Sequence, residues 1–174
     1  MGSYNASTAQ CLVYSYKDGL LSKIAHDLKH QVTRFNLRID PQRAVVEAEL
    51  DARSLRVMCV MREGREIDGV LSQDDRKKIE SQIVDDVLHA NSYPIIRFKS
   101  TLLADNSNGV RIEGVLDINN TKRSVSTVAW RANGYYQADV EINQPEFGIK
   151  PFSAMMGTLK IKPKVLVRMR VPMN

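Results

Sequence analysis

The chain has 174 residues, 43% of them hydrophobic and 26% charged, with a formal net charge of +5. This composition excludes disordered and fibrous classes, and the length fits one domain over residues 1–174 with a substantial buried core. No apolar run reaches the ~18 residues of a membrane-crossing helix, and so modest a charge is a solubility feature rather than a nucleic-acid signature.

The first ten residues, MGSYNASTAQ, carry neither the basic region nor the apolar stretch of a secretory signal. A cytoplasmic location is therefore expected, or a periplasmic one if a signal has been removed. Gly2 follows Met1, but Ala6 stands where N-myristoylation needs Ser or Thr. Residues 10–18 form the first strand candidate and 30–40 the second. Between them, "SKIAHDLKHQVTRFNLRID" (22–40) holds His26, Asp27 and His30, a pattern close to the zinc-protease motif H-E-x-x-H. That motif needs both histidines on one helical face. Here Val32, Arg34, Asn36 and Arg38 alternate with Thr33, Phe35, Leu37 and Ile39, which is strand periodicity. On a strand the two histidine Cα atoms stand roughly 13 Å apart, too far to share a metal ion. His89, the third histidine, has no carboxylate pattern that marks it as a ligand. The expected role is structural, a turn into a strand in which His26 and Asp27 bond backbone groups. No metal ligand and no catalytic residue is assigned.

Alternation continues in residues 43–52, where Ala44, Val46, Ala48 and Leu50 oppose Glu47, Glu49 and Asp51. A helix is expected within 71–90, opened by Ser72 with Asp75 three residues on and striped by Ile79, Ile83 and Val87. Four strands then form a meander. In 94–103, Ile96, Phe98 and Leu102 share a face; in 109–118, Val110, Ile112, Leu116 and Ile118 do; in 135–142, Tyr136, Ala138, Val140 and Ile142 do. Loops at 105–109, 119–122 and 132–134 are rich in Asn and Gly, as tight hairpins require. The last segment, 159–172, puts Leu159, Ile161, Val165, Val167, Met169 and Val171 on one side. Lys160, Lys162, Lys164, Arg168 and Arg170 lie on the other. The fold class is all-β with one or two helices: about eight antiparallel strands, closed as a barrel or stacked as a sandwich, with an amphipathic helix packed on them. Cys11 and Cys59 have no zinc or disulfide spacing and are expected to be buried apolar residues.

Four segments, in order, resemble the YceI-like family of lipocalin-like polyisoprenoid-binding proteins. "AHDL" (25–28) resembles the N-terminal opening of one branch of that family. "LSQDDRKKIESQIVDDVLHANSYPIIRFKST" (71–101) resembles its helix, Tyr-Pro pair and I-x-F-x-S strand. "GVLDINNTKRSVS" (114–126) resembles its G-x-L-x-I-x-G-x-T-K-x-V hairpin, with Asn120 in place of the usual glycine. "INQPEFGIKPFSAMMGTLKIKPKV" (142–165) resembles its I-N-R-x-D-F-G-I segment, with Gln144 and Glu146 at the Arg and Asp positions. The run 54–69 is longer than usual, and family members are commonly exported.

The resemblance implies an extended eight-stranded lipocalin-like barrel that binds an isoprenoid-type lipid without catalysis, for carriage or storage. Polyprenyl lipid or isoprenoid quinone is the implied ligand, with no required cofactor. The expected lining residues are Phe98, Ile112, Leu116, Tyr136, Ala138, Val140, Ile142, Phe147, Val165, Val167 and Met169. Ala138 and Ser100 are expected to leave space, and Met58, Met61, Met155 and Met156 to flank the mouth. A bacterial homodimer is expected by analogy. The Lys160–Arg170 stripe is a candidate contact with anionic membrane, or a solvated outer face. The alternatives are a structural or stress-related barrel filled by its own side chains, and a metal-dependent hydrolase built on His26 and His30. A nucleic-acid binder is discounted, since no aromatic residue interleaves the basic strand. A Ser or Cys nucleophile has no G-x-S-x-G or triad behind it.

Overall fold

Side chains that alternate in polarity make strands, and the strands of this chain pair antiparallel throughout. The computed structural model describes residues 1–19 and 26–173; the stretch 22–25 of the histidine-bearing segment lies outside them. The first strands are β1 (Gly2–Asn5), β2 (Gln10–Ser15), β3 (Asp27–Val32), β4 (Phe35–Asp40), β5 (Val45–Asp51), β6 (Leu55–Arg62) and β7 (Arg65–Ile67). Helix α1 (Gln73–Gln82) follows. Then come β8 (Ile95–Asn106), β9 (Gly109–Ile118), β10 (Thr121–Ala132), β11 (Tyr135–Asn143), β12 (Ser153–Ala154), β13 (Leu159–Lys160) and β14 (Lys164–Pro172). One sheet has twelve strands in the order β1-β4-β5-β8-β9-β10-β11-β14-β2-β3-β6-β7, and β12-β13 is a separate hairpin.

The expected count of eight strands is corrected to twelve in the main sheet. One reason is a pair of bends. The expected strand 30–40 breaks at Thr33–Arg34 into β3 and β4, and its partner breaks at a 3-10 turn, Ala52–Ser54, between β5 and β6. Ser54 is fully buried and ties the bends together. Its Oγ accepts from the Arg34 N–H at 2.9 Å and donates to the Asp51 carbonyl at 2.7 Å. Its carbonyl accepts from the Thr33 N–H at 3.0 Å. β3 pairs with β6, and β4 with β5, so the four form one bent hairpin. The outer neighbour of β3 is β2 and that of β5 is β8, so this hairpin joins the two flanks and the sheet curls around an interior. The bend also flips the alternation. Val32 is buried like Phe35 and Leu37, and does not share a face with Arg34 and Asn36.

The remaining breaks have local causes. The run 159–172 splits because Pro163 has no N–H for a ladder, and its carbonyl instead accepts from the Gln144 N–H at 2.9 Å. The register shifts between Ser100 and Leu102, so Leu102 turns outward and is 38% exposed while Leu103 packs inward. Ser100, expected from its size to leave space, does not line the cavity. Its Oγ accepts the buried Val46 N–H at 2.9 Å. The longer 54–69 run is the β6–β7 hairpin, turning at Glu63 and Gly64, both with positive φ. Asn119 and Asn120 both take positive φ, so the asparagine fits where glycine is usual.

Ser72 caps α1 in a capping box with Asp75. The helix is shorter than the expected 71–90: after Gln82 it widens into a π-helical turn, Ile83–Val87, and the Leu88 N–H closes on the Ile83 carbonyl at 2.8 Å. Glu80 fastens it to β6 by accepting the Val57 N–H at 2.8 Å. Two apolar clusters mark the ends of the interior. One gathers Cys11, Leu37, Ala48 and Val171; the other gathers Val87, Ile118, Ile142 and Phe147.

Candidate functional site: an apolar cavity inside the curled sheet

Inward side chains meet across the sheet in register. One row runs Val140, Val167, Val13 and His30 over β11, β14, β2 and β3. The row on one side of it is Ala138, Met169 and Cys11, and on the other Ile142 faces Val165. These rows do not fill the interior. They bound a cavity of about 430 Å³, a size typical of small-molecule sites. The helix closes part of it with Ile79, Ile83 and Val87, the stripe legible in the sequence. Phe152, Leu159 and Ile161 close another part, carried by the β12–β13 hairpin and the residues beside it.

Phe98, Ile112, Leu116, Tyr136, Ala138, Val140, Ile142, Val165, Val167 and Met169 all lie on the cavity wall. Tyr136 sits near the start of β11 and is 45% exposed, with Arg131 over its ring. Phe147 is a correction. It is 2% exposed, but it packs in the second cluster under the turn Gln144–Phe147 and does not reach the wall. Met58, Met61, Met155 and Met156, expected to flank the mouth, do not line the wall, and Met156 is fully exposed.

The polar groups on the wall are few. His30 is 1% exposed, and its Nε2 lies 2.9 Å from the Ser15 Oγ. Its Nδ1 is buried and has no partner among the described residues. Burial away from water pushes the imidazole from 6.5 down to about 4, so the ring is neutral at physiological pH. Gln144, at the position where the family pattern has Arg, donates its side-chain N–H groups to the Lys162 and Pro163 carbonyls, both at 3.1 Å. It braces the segment that leads into β14. Asp51 has its carboxyl held down at about 2 by Arg53 and Arg34. Among the described residues, neither lysine nor arginine lines the cavity. Cys11 is also on the wall, and burial pushes its thiol up to about 12. Both cysteines are free and buried, as expected.

The sequence reading missed His30 and Ser15 as neighbours. The available signal was the phase Leu28, His30, Val32, which places the ring on the apolar side of β3. Asp27 does take the expected backbone role, accepting the Lys17 N–H at 2.8 Å. No group of three or more His, Cys, Asp or Glu is placed to hold a metal ion among the described residues.

The basic stripe is broken up by partners. Lys164 pairs with Glu141 at 2.6 Å. Arg168 makes two bonds to Asp139, at 2.8 and 2.7 Å. Arg170 stacks 4.1 Å from the Tyr135 ring centre. Lys160 and Lys162 are exposed.

Among curated proteins, none matches the chain. Among solved structures, Burkholderia cenocepacia BcnA is similar, with a TM-score of 0.64 at 13% identity over 98% of this chain and 99% of that one. The Campylobacter jejuni YceI protein is similar with a TM-score of 0.53 at 12% identity, over 90% of this chain and 92% of that one. A mutant of the latter with a monobromobimane guest gives a TM-score of 0.55 at 12% identity, over the same shares of the two chains. At these identities the likeness is one of fold. The YceI-like domain family matches residues 6–173, nearly the whole chain, and the protein belongs to that family.

Proposed function

We propose that the protein binds a long apolar isoprenoid-type lipid inside the curled sheet, as a non-enzymatic carrier or store. The observation behind this is the cavity of about 430 Å³ with a wall made almost entirely of aliphatic and aromatic side chains. Each CH₂ moved from water into such a space gains about 0.8 kcal/mol. No catalytic group is needed for that gain, and Cys11, whose thiol stays protonated, offers no nucleophile. A barrel filled by its own side chains is the weaker reading beside this cavity.

Loading takes place from an anionic bilayer in this reading. Met155 and Met156 are exposed at the tip of the β12–β13 hairpin, while Phe152 and Leu159 of the same segment line the cavity. The exposed Lys160 and Lys162 follow on the β13 side. An exposed apolar tip followed by cations suits the surface of a membrane.

Native mass spectrometry of the gently purified protein, with solvent extraction, tests the reading. A co-purifying apolar species of several isoprene units is the expected result. A bare protein mass that persists after incubation with polyprenyl lipids and isoprenoid quinones would refute it. Ala138→Trp fills the row shared with Met169 and Cys11, and is expected to abolish uptake while the protein stays folded.

A further inference from the structure

Among the polar side chains of the cavity wall, Gln144 is used up on two carbonyls, Asp51 on two arginines, Thr127 on the Asp139 carbonyl and Gln137 on the Asp139 carboxylate. His26 and Gln82 are only partly buried. His30 alone on this wall keeps a fully buried polar atom without a partner among the described residues. Its single bond, to Ser15, leaves capacity over, and both residues line the apolar cavity.

The tautomer follows from counting. If the Ser15 hydroxyl donates to Nε2, that hydrogen and that lone pair are both satisfied, and only the Nδ1–H is left over. If Nε2–H donates to Ser15 instead, both the hydroxyl hydrogen and the Nδ1 lone pair are left over. A buried group without a partner is costly, so the first arrangement prevails. The leftover group is then a donor, and it wants an acceptor. Val13 and Val57 flank the ring across the ladder, and no lysine or arginine among the described residues lines the cavity. A phosphate or carboxylate held here would find no counter-charge among them. An uncharged oxygen would need none.

We propose that His30, oriented by Ser15, is the polar anchor of the cavity and donates a hydrogen bond to an uncharged carbonyl oxygen on the ligand's head, such as a quinone oxygen, while the tail fills the apolar remainder. This rests on the lipid-binding reading above and narrows its ligand class. Ser15 is a positioning residue that fixes the tautomer; His30 makes the contact.

The test uses the whole protein and three probes: a benzoquinone with an isoprenoid tail, the isoprenoid hydrocarbon squalene, and a polyprenyl phosphate. Wild type is expected to prefer the quinone over squalene by about tenfold, the worth of one buried hydrogen bond. His30→Phe is expected to erase that preference and to leave squalene and phosphate binding unchanged. His30→Gln, which keeps a neutral donor, is expected to restore part of it. Infrared spectroscopy on wild type alone gives a second readout that needs no variant: the bound quinone carbonyl stretch is expected below its frequency in hexane. Equal binding of quinone and squalene with an unshifted carbonyl overturns the anchor and leaves the lipid-binding reading standing. A larger loss for the phosphate than for the quinone in His30→Phe also overturns it. Binding of none of the three probes removes the lipid-binding reading, and the anchor with it.

Discussion

Acid should find His30 before it finds most of the protein. The free imidazole takes its proton near 6.5, whereas in the fold burial delays that to about 4. At pH 7 both folded and unfolded chains carry a neutral ring, so stability is unaffected. As pH falls through 6.5 the unfolded chain binds a proton that the folded chain refuses, and each further unit costs about 1.4 kcal/mol. The gap from 6.5 to about 4 therefore removes about 3 kcal/mol, and the loss stops once the folded ring also protonates. Against a typical stability of about 5–15 kcal/mol, that is a large share. The assay is urea unfolding at half-unit steps between pH 7.5 and 4, on wild type and His30→Leu. The variant leaves Ser15 without its partner at every pH, which shifts its curve by a constant. Carboxylates shared by both proteins, Asp51 with its carboxyl near 2 among them, cancel in the difference. The difference should shrink by about 3 kcal/mol across the range as wild type weakens. Two curves that run parallel would show that His30 titrates as if solvated, and would refute the sealed position assigned to it.

Ser100→Ala strands the Val46 N–H inside the sheet and is expected to cost about 1–3 kcal/mol, read as a lower urea midpoint at unchanged slope. Gly114→Ala puts a Cβ about 2.5 Å from both the Lys99 carbonyl oxygen and the Phe98 ring. It should destabilise by about 1–3 kcal/mol and, by displacing Phe98 on the cavity wall, lower lipid capacity in an extraction assay. Ser72→Ala removes the capping box of α1 and should cost about 1 kcal/mol by thermal or chemical denaturation. Met155→Asp with Met156→Asp should slow lipid uptake from anionic vesicles and leave uptake from detergent micelles unchanged. Equal slowing in both would remove the membrane-docking role.

Much of the fold was legible because a half-buried strand must alternate, and ten wall residues follow that alternation, while the interior space they face was implied by the family resemblance. The rule fails wherever the strand does. Leu102 followed the alternation of Phe98 in the sequence, but one extra residue at the Ser100–Leu102 shift reversed it. Val32 seemed to share a face with Arg34 because nothing local announces a bend at Thr33–Arg34. The cause lies at Ser54, about twenty residues on, whose hydroxyl and carbonyl hold the corner. Phe147 looked like wall because it is apolar and sits in a family-like segment, yet a 3-10 turn carries it off the sheet. His30 illustrates the converse. Its chemistry drew attention to metal binding, while its phase among Leu28 and Val32 already marked it as interior.

The seam between β2 and β14 has a consequence for how the chain reaches this state. Val13 pairs with Val167, so one wall of the cavity joins residues from the two extremes of the sequence. The meander β8–β11 closes by tight turns and can form early, each strand meeting its neighbour as it appears. The interior cannot shut until β14 is made and has found β2. Until then the apolar faces of β2, β3 and the meander stand open, with β2 lacking a partner along one side. Closure is the slow, late, high-contact-order event, and a hydrophobic molecule met before it would be enclosed rather than admitted.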